Sequence, residues 1–265
     1  MKRQQTTSWA MPVVTVIAVA ASIVAAFFGS GALGGTAVSE AAGGWLSTSA
    51  TPLAPGGGAF RIWSVIYLGL AGYAIWQLSA GARASSRQRA LRPWAMLSAA
   101  LNAAWIWMVQ LDLLAGSVVV ILALLAVLIR MLLLLRDSQP RSWAELILSD
   151  GTFGLYLGWV CVATVANIAG WLGSLGATTF TGWILAVYGV LAVAAAVGIA
   201  TARYTQGRLA VGLALSWGLL WIAAGRFSGE FESAATAWGA VAAGIAVLVA
   251  TVLIRIRSRR PLGPA

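Results

Sequence analysis

The chain has no histidine, a single cysteine (Cys161) and only seven acidic residues among 265. Without His there is no imidazole-ligated haem, no HExxH metal site and no His general base. One Cys excludes a disulfide within the chain and a thiolate zinc site. Charged residues of both signs make up only 9%. Alternating ten-residue strands are also missing, which excludes an outer-membrane barrel.

What fills the chain instead is apolar: 60% of residues are hydrophobic and the mean hydropathy is +0.88. Runs of roughly 20 apolar residues recur throughout, the length a helix needs to cross about 30 Å of hydrocarbon. The expectation is an all-α polytopic membrane bundle embedded in a lipid bilayer. The formal charge of +10 then reads as topology, and no nucleic-acid partner is expected.

Eight spans are predicted, at about 10–30, 59–80, 93–111, 114–135, 149–171, 180–201, 208–225 and 234–254. The N-terminal MKR and the ALG at 32–34 resemble a signal peptide and its cleavage site, but the long apolar run favours an uncleaved first span. With eight spans and a cytoplasmic N-terminus, fifteen of the seventeen basic residues fall inside, among them Lys2, Arg3, Arg259 and Arg260, leaving Arg61 and Arg226 outside. Both termini are therefore expected to be cytoplasmic in a multi-pass protein of the cell membrane. The connection at 31–58 is then external; rich in Gly, Ser, Thr, Ala and Pro and carrying Trp45, it reads as a lid or a tether.

Fourteen Trp residues exceed what an interfacial belt requires, although Trp94, Trp143, Trp183 and Trp238 stand near span ends and suit one. Trp159 does not, since it lies about halfway across its span. With Ala163, Asn167 and Trp171 it forms a row of four-residue steps along one helix face. Trp63 and Tyr67 are likewise four apart, and Asn102 lies three before Trp105.

In these residues, with Pro52 and Pro55 in the preceding loop, the chain resembles the TspO/MBR family of translocator or tryptophan-rich sensory proteins. The resemblance covers about residues 10–172. Phe60 stands three residues before Trp63, where the family has Phe four before, and Arg61 replaces a Pro. The resemblance implies a five-helix core, residues 1–176, followed by a three-helix transmembrane extension, 177–265. It implies a pocket for a hydrophobic small molecule: a porphyrin or other tetrapyrrole, or a sterol- or carotenoid-like lipid. It also makes a homodimer one expected assembly. No cofactor is required, a bound tetrapyrrole being a ligand, and no metal site is expected.

Trp63, Tyr67, Asn102, Trp105, Trp159, Ala163 and Asn167 are the candidate ligand-binding residues, joined by Trp45 from the loop and by Arg61 as partner for a ligand carboxylate. An unpartnered amide facing lipid costs a few kcal/mol, so each Asn must face protein or a cavity. Two readings stand for each: interhelical hydrogen bond or ligand anchor. Elsewhere, Asp112 reads as a turn residue, Asp150 as a helix cap, Gly154 and Gly158 as a packing groove, Cys161 as buried filler, and Arg226, Glu230 and Glu232 as a solvated cluster. No catalytic residue is nominated and the chain is not expected to be an enzyme. The functional expectation is ligand transport or sensing. The alternative is an accessory or scaffold subunit of a membrane complex, with an intramembrane enzyme third.

Overall fold

The computed structural model describes residues 9–31 and 36–258. The charges at Lys2, Arg3, Arg259 and Arg260 and the tripeptide at 32–34 lie outside the described residues. The bundle is all-helical among the described residues: α1 (Ala10–Gly29), α2 (Ile62–Trp76), a short α3 (Ala80–Ala84), α4 (Ser86–Gln110), α5 (Leu114–Arg136), a single turn α6 (Trp143–Glu145), α7 (Thr152–Ser174), α8 (Trp183–Tyr204), α9 (Leu209–Arg226) and α10 (Ala234–Ser258).

Among the described residues, seven segments are long and apolar enough to cross a membrane. The third predicted span, in α4, has the length at 25 residues, about 37 Å of helix, but not the composition. Its first turns carry Arg87, Arg89 and Arg92, its interior carries Asn102, and it ends on Gln110. It packs against α1 and α5, and the bundle shields half of its polar side chains: Gln88, Arg92, Ser98 and Asn102 are all buried.

The helices run up and down between two ends. At one, the loop end, α1, α4, α7 and α9 finish and α2, α5, α8 and α10 begin. The opposite, arginine end gathers every described basic residue except Arg61 and Arg226. The first and last described residues share it: the Arg83 guanidinium lies over the Trp9 ring, and the backbone of Arg255 closes on Gly207.

The fifth span starts earlier than its apolar run. Ser142 caps it, its Oγ accepting the Glu145 N–H at 3.1 Å, and a π-helical turn at Leu146–Gly151 leads into α7. Asp150 sits inside that turn and caps nothing. Both its oxygens accept from Arg87 Nη2, at 2.8 and 2.9 Å, and it pairs with Arg208, the N-cap residue of α9. A helix cap and an interhelical ion pair look alike in one dimension.

Gly154 and Gly158 do form a packing groove, and α9 fills it. A Cβ at Gly154 would stand 2.7 Å from that of Ala210, and one at Gly158 2.9 Å from that of Ala214. Val211 and Ala214 of α9 accordingly belong to the main core built by α1, α2, α4, α5 and α7, while α8 and α10 pack with α9 around a second, smaller core.

A closed aromatic cavity at the loop end

The row on α7 turns its first three members inward. Trp159, Ala163 and Asn167 line a cavity at the loop end together with Asn102 and Trp105 of α4 and Trp63 of α2. Ile121 and Leu124 of α5 close the far wall, and Val38, Trp45, Leu46, Ser47, Ala54, Pro55 and Phe60 roof it. Trp171, the fourth member, stands above the cavity beside a shallow depression that it shares with Trp45 and Asp112. Asp112 occupies the turn between α4 and α5 at φ 58°, the left-handed region that Asp tolerates better than most residues.

The rings pack largely on one another. Trp63 stacks on Tyr67 at 5.3 Å and 20° and meets Tyr156 and Trp159 edge-on, while Phe60 meets Trp159 edge-on at 5.8 Å. Such offset and edge-to-face arrangements are the favoured ones. They leave a cavity of about 40 Å³, room for about one small polar group.

The two Asn residues do different work. Asn167 Oδ1 accepts the Trp105 indole N–H at 2.6 Å, and Asn167 Nδ2 donates to Ser117 Oγ at 2.9 Å, tying α7 to α4 and α5. Asn102 Nδ2 donates to the Tyr67 hydroxyl at 2.9 Å, but Asn102 Oδ1 has no partner. Trp159 Nε1 is also buried and unpartnered. Thus Tyr67 belongs to the site through Asn102 and its stack on Trp63, without lining the cavity itself. Arg61 is exposed and outside it.

The lid is anchored on α9, which the sequence reading leaves out of the site. Arg226 donates to the carbonyls of Thr51 and Thr48 at 3.2 and 3.1 Å. Trp217 donates to Ala59 O at 3.0 Å, and Gly56 N–H donates to Trp221 O at 2.8 Å. Arg226 is only 2% exposed and is no part of a solvated cluster; Glu230 and Glu232 are the exposed members. Loop carbonyls folding back onto it replace a carboxylate partner, an arrangement that no spacing in the chain announces. Gly170 and Gly173 make room on the other side of the lid, where the Trp45 backbone and ring lie against α7.

A second recess of about 490 Å³ lies between α5, α7, α8 and α9, lined almost wholly by apolar side chains and by Cys161 and Thr164. Cys161 is half-buried there.

These features define a class: a polytopic helical membrane protein whose aromatic, amide-bearing cavity is closed by a lid at one end of the bundle. The chain matches the TSPO-like protein family over residues 9–254 and belongs to that family. The match runs past residue 172 and takes in the last three helices. No curated protein and no solved structure matches the chain.

Proposed function

We propose that the protein binds a hydrophobic small molecule in the loop-end cavity and serves in its transport or sensing. The ligand classes are a tetrapyrrole such as a porphyrin, or a sterol- or carotenoid-like lipid. The observation that carries this reading is a pair of buried polar atoms, Asn102 Oδ1 and Trp159 Nε1, left without protein partners in an otherwise aromatic and aliphatic cavity. Buried polar groups are rarely left unmatched unless something else is meant to match them. The ligand-contacting set is Trp45, Trp63, Asn102, Trp105, Trp159 and Ala163, with Tyr67 and Asn167 positioning the amide and the indole that they touch. Arg61 stays a candidate only for a charged group projecting past the lid. Binding fits this lining better than catalysis does, because no residue in it is readily titratable. The tail, 177–265, acts in this reading as the anchor of the lid.

At about 40 Å³ the cavity must widen for any such ligand, since sites for drug-sized molecules measure about 300–1,000 Å³. The lid segment at 45–60 is the wall that yields. Ala163→Phe tests the site: filling the cavity should abolish quenching of the tryptophan fluorescence by porphyrins, sterols and carotenoids while the protein stays folded. Normal affinity in that variant places the ligand elsewhere and leaves an accessory subunit as the better reading.

The same reading sets the protein in the cytoplasmic membrane with both termini inside and the lid outside, on the strength of the basic residues gathered at the arginine end. Single cysteines introduced at 45 and 175 in a Cys161→Ala chain should react with an impermeant maleimide added outside, and one at 265 should not.

A further inference from the structure

The two unpartnered atoms in the cavity are of opposite kinds. Trp159 Nε1 can only donate, and Asn102 Oδ1 can only accept. The residues carrying them are 1% and 2% exposed, and both line the same small cavity. The polar atoms beside them on α4 and α7 are engaged: Trp105 Nε1 and the Asn167 amide with each other and with Ser117, and Asn102 Nδ2 with Tyr67. A single group that meets both atoms accepts one hydrogen bond and donates one. A hydroxyl does both. A carbonyl or ether only accepts and leaves Asn102 Oδ1 bare. A carboxylate does the same and adds a charge.

Charge is the second independent constraint. No Lys or Arg is among the residues lining the cavity. Arg61 is exposed, and Arg226 is committed to the carbonyls of Thr48 and Thr51. An anion taken into this lining would lose its hydration without gaining a counter-charge.

We propose that Trp159 Nε1 and Asn102 Oδ1 form a donor–acceptor subsite for the hydroxyl group of a neutral apolar molecule, and that the site discriminates against carboxylic acids. The inference rests on the cavity being the ligand site and sharpens the ligand class within it. Neutral alcohols with a flat or conjugated body fit; tetrapyrroles fit only if their carboxylates stay outside the cavity. The hydroxyl occupies the existing 40 Å³, and the apolar body lies against Phe60, Trp63 and Trp45 once the lid has moved outward.

Retinol, retinal and retinoic acid share one apolar body and differ at the end group, so they serve as probes. Binding of each tritiated retinoid to the full chain in nanodiscs is measured for the native protein and for Trp159→Phe, Asn102→Leu and Ala163→Phe. Retinol should bind about tenfold tighter than retinal, as expected for one hydrogen bond lost beside a buried acceptor, and retinoate should bind weakest. Trp159→Phe keeps a ring and loses the donor; Asn102→Leu keeps the bulk and loses the acceptor. Each should weaken retinol about tenfold, and Asn102→Leu should erase its advantage over retinal. If Trp159→Phe does not fold, the Asn102→Leu comparison alone decides the matter. Retinal or retinoate binding as tightly as retinol, with all three lost in Ala163→Phe, overturns the hydroxyl subsite and leaves the cavity as the ligand site. Binding of all three that Ala163→Phe does not affect, or no binding of any, overturns the cavity reading and this inference with it.

Discussion

The bundle holds two polar constellations, one at each end, and they differ in completeness. At the arginine end, Gln77 Nε2 donates to Gln88 Oε1, Gln88 Nε2 donates to Glu145 Oε1 and Ser149 Oγ, and Arg92 Nε donates to Gln77 Oε1. Arg87 bridges Glu145 and Asp150 and donates to Ser138, and Arg208 adds α9. Every carboxylate and amide oxygen named there has a partner. At the loop end an acceptor and a donor are left open. At the arginine end Arg83 Nε, Arg87 Nη1 and the Tyr73 hydroxyl lack hydrogen bonds, but each carboxylate and amide oxygen is matched; at the loop end the amide oxygen itself is open. Incomplete polar networks are costly inside a bundle, so the first reads as architecture and the second as a place for something to bind.

α4 carries residues of both, and α9 joins them from outside the five-helix core, through its N-cap Arg208 at one end and Arg226 at the other. Deleting everything after residue 176 should therefore have the largest effect of any change considered. It uncovers the Gly154–Gly158 groove, strips Asp150 of one cation and removes the lid's anchor. Size-exclusion profiles and thermal melts of the truncated chain should show loss of a cooperatively folded species. A folded, ligand-competent 1–176 fragment would instead make the tail a separable appendage and break the link between the two ends.

Next in size is Asp150→Ala. It leaves Arg87 and Arg208 at the arginine end with one carboxylate fewer; breaking a buried pair from one side costs on the order of 3 kcal/mol. The thermal midpoint should fall clearly, while ligand affinity of the folded fraction stays unchanged because the cavity is at the other end. A matching loss of affinity would mean that the two constellations are coupled through α7.

How much of this was legible in the chain depends on the kind of contact. The helices, the GxxxG groove and the cavity face of α7 follow from apolar length and four-residue spacing, which a single helix carries within itself. The start of the fifth span was missed because the polar turn from Ser142 to Asp150 interrupts the apolar signal. The ion pairs of Asp150 with Arg87 and Arg208, and the bonds from Arg226 to loop carbonyls, join residues 58 to 178 positions apart. No periodicity encodes such pairs. The walls supplied by Ile121 and Leu124 were missed for another reason: in a span as uniformly apolar as α5, no contrast marks which face meets a cavity.

The smallest effect on stability, and the sharpest test of the comparison, lies between the two amides. Asn167 bonds within the bundle at both ends of its side chain. Asn167→Leu therefore orphans the Trp105 indole N–H and removes the bond to Ser117 Oγ, which should cost about 1–3 kcal/mol. The affinity of the folded fraction should fall less than in Asn102→Leu, through the loosened Trp105 indole alone. Asn102 gives up only its bond to the half-buried Tyr67 hydroxyl, and removing its unmatched oxygen relieves a desolvation penalty. Asn102→Leu should therefore shift stability by about 1 kcal/mol or less while weakening the ligand. Thermal melts and ligand titrations on the same two preparations separate the effects. Should the two amides change places, with Asn167 governing affinity and Asn102 stability, the open end of the network has been assigned to the wrong helix. Should both changes act on stability alone, the loop-end amides are architecture like those at the arginine end.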